Sequence, residues 1–298
     1  MADEPKNLDR RTLTFAQAEG VEPLPQPLKL GEISQELRAL LWKVFYHSLL
    51  KAEKSSVLGD VHPWVGDRWH SILRDKHVHF DHRMADDFEN DFTTCSAAMR
   101  AIFENGNYVQ VFDFIQFVLR HRSCPHDLAD GVAWALKQSR AAYVLVDRHT
   151  IYPIPSKEEG AAIERAFADL ASVEFGGARA HLRKAGEFLN QGHYADSVRE
   201  SIHGVESVAR LLDPKASRTL GPALAALEAK GTIHGALKAG FSSIYGYSSD
   251  ESGIRHSLLD GDKAQVDLHD SMFMIGACAS FVSYLIGKAR AIGLKLSD

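Results

Sequence analysis

A polar, glycine-containing segment near the C-terminus carries the side chains best suited to chemistry. The segment YSSDESGIRH, residues 247–256, is predicted to form a loop between two helices. Arg255 is permanently charged and offers a planar fork of donors that can hold a phosphate group. His256 titrates near neutral pH and can donate or accept a proton. Together they could bind a phosphodiester and deprotonate an adjacent ribose hydroxyl or protonate the leaving oxygen.

A purely structural role for the same residues stays open. Arg255 could pair with Asp250 or Glu251, and His256 could cap a helix. A helix predicted over residues 194–212 supplies a second polar group, because His203 and Glu206 are three residues apart and share a face, with Glu200 nearby. Glu206 could orient an arginine or histidine across the bundle. The predicted supporting or binding residues are Glu206, His203 and Asp250, and a solvent-facing stripe is the alternative.

A histidine-rich stretch in the N-terminal half offers a weaker alternative site. If it is extended, His77, His79 and Asp81 share one face; if it is helical, His79 and His82 do. Imidazole and carboxylate suit zinc, manganese or iron. No HExxH pattern is present, so we predict no cofactor and no metal, with His77, His79 and His82 as the alternative ligands.

Composition and motifs exclude several classes. The 298 residues include 34 Lys+Arg and 39 Asp+Glu, and a net charge of −5 argues against a broad basic surface for nucleic acid, so any such contact is a local pocket. The sequence has no P-loop, no GxGxxG after a strand, no GxSxG and no paired CxxC. Three widely spaced cysteines favour a reducing compartment. The acidic N-terminus does not resemble a signal peptide, and the apolar run 272–286 is short for a membrane span, so we expect a cytoplasmic protein without membrane contact.

The elements that position these residues divide the chain at Pro153 and Pro155. Residues 1–154 read as an α-rich domain with a short β-hairpin, in which Tyr143–Val146 pairs with Ile151–Ile154. The apolar run 108–119 fits either a buried helix or a buried strand. Residues 155–298 follow helical periodicity throughout. The sequence therefore predicts a mainly α fold: an α-rich N-terminal domain at 1–154 and a helical bundle at 155–298.

Three stretches of the C-terminal half resemble a known family. They are HYADSVRESIHGVESVARLL, TLGPALAALEAKGTIHGALKAGFSSIYGY and SSDESGIRHSL, which resemble the C-terminal half of AbiJ-type abortive-infection proteins, a HEPN-superfamily bundle. The lead-in TFAQAEGVEPLPQPLKLGEISQELRALLWKVFYHSLL resembles the N-terminal domain of the same proteins. The resemblance implies bacterial defence against phage. It also implies a metal-independent ribonuclease with RNA as substrate, acting as a homodimer with an arginine and a histidine at the shared interface.

The chain departs from the active HEPN motif in one respect. In that motif four to six residues separate the arginine from the histidine, whereas His256 directly follows Arg255. The usual histidine positions hold Asp260, Gly261 and Asp262. Either His256 is the acid–base group, so that Arg255 and His256 are the catalytic residues, or the bundle is a non-catalytic binding or dimerisation module. The N-terminal domain would then sense a trigger or bind a partner protein.

The last predicted helix bears on assembly. Its apolar residues cover more of the helix surface than the stripe of about 100° that one core contact needs. We therefore expect the excess to be buried against a second subunit in a two-fold dimer. The residues of this surface are Phe273, Met274, Ala277, Cys278, Phe281, Val282, Leu285 and Ile286.

Overall fold

The structure of the protein is a computed structural model. It describes residues 14–23, 26–55, 62–154, 157–212, 220–231, 233–250 and 266–291. Within these ranges the protein is mainly α-helical with two short pairs of antiparallel strands. The predicted fold class and the predicted hairpin are therefore confirmed. The α-helices are Phe15–Ala18 (α1), Gln35–Leu50 (α2), Asp67–Asp75 (α3), Phe92–Asn105 (α4), Tyr108–Arg120 (α5), Leu128–Gln138 (α6), Lys157–Asp169 (α7), Gly176–Asn190 (α8), Tyr194–Leu212 (α9), Leu220–Ala229 (α10), Gly235–Asp250 (α11) and Leu268–Ala291 (α12), and the strands are Glu53–Lys54 (β1), Trp64–Val65 (β2), Tyr143–Val146 (β3) and Thr150–Pro153 (β4).

The first hydrophobic core lies among α2, α4, α5 and α6. At its centre the rings of Phe45, Phe103 and Phe114 meet with centroids 4.9 to 5.7 Å apart. The apolar run 108–119 is a helix, which settles the alternative left open by its periodicity. A capping box starts it: the Asn107 side chain accepts from the Gln110 backbone at 3.0 Å, and the Gln110 side chain accepts from the Asn107 backbone at 2.9 Å.

The second hydrophobic core lies among α7, α8, α9, α10 and α12. Both α8 and α12 pack along α9, and α7 packs against α12. Gly204 of α9 allows the close approach of α8, because a Cβ there would meet the Leu182 side chain at 3.1 Å. Because α8 and α9 pack this closely, few of their side chains can change places, and this fixes which of them face each other.

The β3–β4 hairpin lies between the two cores and contributes to both. Its register pairs Val144 with Tyr152 and Leu145 with Ile151. Alternate residues point to opposite faces of a strand. Tyr143 and Ile151 accordingly join the first core, whereas Tyr152 joins the second. The remaining hairpin positions keep this alternation: Leu145 packs on the first core, and Val144, Val146 and Ile154 lie in or on the second.

The hairpin is also bonded to both halves of the chain. The Tyr152 hydroxyl donates to the carbonyl of Leu182 and accepts from the Gly186 amide at 3.1 Å. In the turn, the buried Asp147 carboxylate pairs with Arg179 of α8. The next residue, Arg148, pairs instead with Asp130 of α6 at 2.6 Å. The two neighbouring turn residues Asp147 and Arg148 therefore form ion pairs with opposite halves of the chain.

Most of the apolar surface of α12 is covered by the chain itself. Of the eight residues predicted to face a second subunit, six are buried in the second core, and Phe273 is 59% exposed. The prediction that these residues face a second subunit is therefore wrong for the six buried ones, because α7, α8 and α9 cover them, whereas the dimer itself stays a prediction. The buried residues are Met274, Cys278, Phe281, Val282, Leu285 and Ile286.

By length and hydropathy α12 could also cross a membrane, and it is the one such helix in the described part of the chain. However, 61% of its most apolar 18-residue window is buried inside the fold. Core helices of soluble proteins have the same length and composition, so this property alone carries little weight.

The contact between Tyr152 and Gly186 gives a first prediction. A Cβ on residue 186 would lie far inside the van der Waals radius of the Tyr152 ring. Gly186→Ala must therefore displace the ring and strain its two hydrogen bonds, and we expect a loss of about 1–3 kcal/mol in the free energy of unfolding. Equilibrium urea denaturation measures the change.

Gly177→Ala is the matched control, since it lies in the same helix and a Cβ there meets nothing within 4 Å. We expect the control to be as stable as the wild type or more stable by up to about 1 kcal/mol, because alanine favours the helix. Equal stabilities of Gly186→Ala and Gly177→Ala would contradict this packing.

Candidate functional site

The predicted catalytic pair belongs to a segment bounded by two described helices. Arg255 and His256, like Asp260 and Asp262 at the usual histidine positions, lie outside the described residues. The segment follows α11 and precedes α12, and both helices contact α9. Helix α9, which carries the predicted supporting residues His203 and Glu206, therefore contacts both helices that flank the segment.

Helix α11 is longer than predicted. It continues through Gly246 to Asp250, so residues 247–250 are helical and the prediction that they belong to a loop is wrong. Tyr247 packs against the second core, which stabilises the additional turn and offsets the cost of about 1 kcal/mol for a glycine inside a helix. Asp250 is the last helical residue, and its side chain lies outside the described part of the structure.

Glu206 is a buried carboxylate on the side of α9 that faces α11. Only 6% of the residue is exposed, and the Tyr245 hydroxyl donates to its Oε1 at 3.2 Å. Apolar side chains of α9 and α11, including Ile202 and Phe241, line the neighbouring cavity. A carboxylate in such surroundings is positioned by its partners rather than by water, which suits it to orienting a cationic group.

His203 belongs to a different cluster on α9, which faces α8. Its ring lies edge-on to that of His181, with centroids 5.3 Å apart and an interplanar angle of 68°. The Nδ1 atom of His181 is 2.7 Å from Oε2 of the buried Glu200. Lys184 lies 3.4 Å from Oε1 of the same carboxylate. Sequence reasoning placed Glu200 near His203 but missed His181, because a partner on another helix has no fixed spacing along the chain.

The Glu200 carboxyl titrates below its usual range. Burial by itself raises its pKa, but the hydrogen bonds and charges of His181 and Lys184 outweigh burial and lower the pKa. The folded protein therefore stabilises the ionised form of Glu200.

The alternative metal ligands His77, His79 and His82 do not come together. His77 lies in a π-helical turn, Lys76–Phe80, where its Nε2 is 2.8 Å from the Met84 carbonyl oxygen. His79 and His82 are exposed, and His82 has a φ of +55°. Within the described residues, the three do not form a group of ligand atoms close enough to share an ion. The described geometry therefore gives no support to this alternative.

The cysteines do not provide a reactive thiolate. Burial raises the pKa of Cys95 and Cys124 to about 11 and that of Cys278 to about 12. At neutral pH these thiols stay protonated, and a protonated thiol is a poor nucleophile. The candidate chemistry therefore rests on histidine, arginine and carboxylate groups.

The lowered pKa of Glu200 predicts a pH-dependent stability. An unfolded glutamate titrates near about pH 4.3, whereas folded Glu200 titrates lower. Its contribution is complete above the unfolded value and is lost as the pH falls through the folded value. We expect the difference in unfolding free energy between the wild type and Glu200→Gln to shrink from neutral pH to about pH 3. Urea denaturation of chelator-treated proteins measures it, and a difference that is constant with pH would contradict the prediction.

Comparison with known proteins identifies the N-terminal part of the chain. The family described as AbiJ N-terminal domain 4 matches residues 13–169, which is more than half of the sequence. The match ends with α7, one helix beyond the hairpin. No curated protein and no solved structure matches the chain. The chain belongs to the AbiJ N-terminal domain 4 family and, through it, to the proteins of abortive-infection defence.

Proposed function

We propose that this abortive-infection protein is an anti-phage effector that cuts RNA through Arg255 and His256. The ribose 2′-hydroxyl attacks the neighbouring phosphorus, the bond to the 5′-oxygen breaks, and a 2′,3′-cyclic phosphate and a 5′-hydroxyl remain. The reaction uses side chains alone and no metal ion. The resemblance of residues 247–256 to the HEPN loop supports this activity, and membership of the AbiJ family supports the role in defence.

The observation that carries the proposal is the buried Glu206–Tyr245 pair beside the end of α11. Tyr245 lies five residues before Asp250, which corresponds to about 7.5 Å along the helix. A buried, positioned carboxylate therefore lies near the point where the chain leaves α11 toward Arg255. Such a group can orient an arginine that in turn holds a phosphate.

Arg255 and His256 have different roles in this mechanism. Arg255 stays protonated at any ordinary pH, so it binds the phosphate and stabilises the charge that develops on its oxygens. His256 transfers the proton, which contributes roughly 10²- to 10⁴-fold to the rate. Because histidine is absent from the usual positions 260–262, His256 is the histidine available in the motif for this step.

The N-terminal domain would sense the trigger or bind a partner protein, and the two active-site pairs would meet in a homodimer. Both statements follow from the resemblance. The buried face of α12 is already covered by the chain itself, and Phe273 is the large apolar side chain that this helix leaves exposed. We therefore place Phe273 at the proposed interface.

Expression in bacteria tests the catalytic pair. The wild type should arrest growth and cut cellular RNA, and Arg255→Ala and His256→Ala should each abolish both effects. Arg255→Lys keeps the charge but loses the fork of donors, and should lose most of the activity. With purified protein, a weakened His256→Ala enzyme should lack the neutral-pH limb of the rate profile, whereas Arg255→Ala should lower the profile without removing that limb.

Arg100→Ala and His193→Ala are the controls, since both are exposed residues outside the site and should leave cleavage unchanged. Cleavage by His256→Ala at the wild-type rate and pH profile would remove His256 from the mechanism. A wild-type protein that folds and binds RNA without cutting it would favour the non-catalytic module. Chelation by EDTA should not slow cleavage, and a loss that zinc or manganese restores, in protein shown by circular dichroism to stay folded without the metal, would contradict the metal-independent mechanism.

Light scattering tests the dimer. At micromolar concentration the wild type should have twice the 33.0 kDa mass of one chain. Phe273→Ser should shift the population toward monomers, because it removes the exposed apolar side chain without touching the core. Val173→Ser is the control, since Val173 is 96% exposed in the turn before α8 and is not part of α12. A monomeric wild type would contradict a shared active site.

A further inference from the structure

We propose that His181, Glu200 and His203 form a binding site for a divalent transition-metal ion of the zinc type. One imidazole comes from α8, and the carboxylate and the second imidazole come from α9. The ligand atoms of all three residues lie within 4.8 Å of one another. In the described part of the chain this is the one group of three such residues with that spacing.

The two helices hold the ligands on facing surfaces. Glu200 and His203 are three residues apart, so they lie on one face of α9. His181 is next to Leu182, the residue whose side chain packs over Gly204 of α9. The close approach at Gly204 therefore brings His181 toward His203. Because the three side chains extend from two helices packed against each other, the backbone that carries them is already ordered before an ion binds.

The chemistry of the ligand set selects the ion. Two imidazoles and one carboxylate suit zinc and cobalt, whereas magnesium and calcium prefer oxygen ligands alone. Bonds of about 2.0–2.1 Å in a tetrahedral site put ligand atoms roughly 3.3 Å apart. The ligand atoms of the cluster lie within 4.8 Å of one another, so the side chains have to move closer by up to about 1.5 Å when they bind the ion. Three protein ligands leave a fourth position for water or another group.

Charge also favours an ion at this place. Glu200 is buried, and a buried carboxylate requires a positive partner. Lys184 supplies one at 3.4 Å, but 55% of the lysine side chain is exposed. The lysine can therefore move into solvent while the ion takes its place beside Glu200. The metal would also replace the proton shared between His181 Nδ1 and Glu200 Oε2.

This site is separate from the proposed cleavage chemistry. Glu206, which supports the proposed active site, faces Tyr245 of α11, whereas the cluster faces α8. An ion bound to both α8 and α9 would hold these helices together. We therefore assign it a stabilising role.

Cobalt titration of tag-free, chelator-treated protein tests the site, because Co²⁺ bound by imidazole and carboxylate gives visible ligand-field bands. We expect one Co²⁺ per chain, displaced by Zn²⁺. His181→Ala, Glu200→Gln and His203→Ala should each weaken binding by at least about tenfold. Zn²⁺ should raise the melting temperature of the wild type but not of these variants.

Two further variants make the test specific. Lys184→Gln should tighten Co²⁺ binding, because it removes the cation that competes for Glu200 while leaving all three ligands. His193→Ala, which removes an exposed histidine between α8 and α9, should bind Co²⁺ like the wild type. Absence of binding by the wild type would overturn the proposal. So would wild-type affinity in the three ligand variants, each shown by circular dichroism to be folded.

Discussion

A single short β-hairpin has to satisfy two hydrophobic cores at once. Because side chains alternate between the faces of a strand, Ile151 can enter the first core only if Tyr152 enters the second. A shift of the pairing by one residue would exchange these faces and bury the wrong residues. The ion pairs at the turn fix the same arrangement, since Asp147 bonds to α8 and Arg148 to α6. The relative position of the two halves therefore depends on this hairpin.

This arrangement explains why the family match extends beyond the hairpin. The matched region, residues 13–169, ends with α7, whose Ile163 and Phe167 are buried in the second core. Phe167 also packs edge-on against Tyr152, at 5.9 Å between ring centroids. The family unit thus carries part of the surface on which the C-terminal helices assemble. Displacement of the N-terminal helices would have to move Tyr152, and with it α8.

Local features of the structure could be predicted from the sequence more readily than the site. The hairpin could be predicted because two short apolar stretches flank a polar turn, at the boundary marked by Pro153 and Pro155. The helical state of residues 108–119 could have been decided by Asn107 and Gln110, which have the spacing of a capping box. The extension of α11 depends on Tyr247 packing against other helices, which no local pattern contains. The partnership of His181 with Glu200 depends likewise on how α8 packs against α9.

Helix α9 is the element on which the candidate chemistry converges, and its two polar faces have different requirements. Toward α11, Glu206 lies beside apolar side chains and accepts a hydrogen bond from the Tyr245 hydroxyl, and surroundings of low polarity strengthen its hydrogen bonds. Toward α8, Glu200 already has a histidine and a lysine as partners, and the exposed lysine can be exchanged for an ion. The face with Glu206 suits an arginine that stays in place and binds phosphate. The face with Glu200 suits a metal ion that can exchange with the lysine. A single helix can serve both because its residues at positions 200 and 206 point in directions about 120° apart.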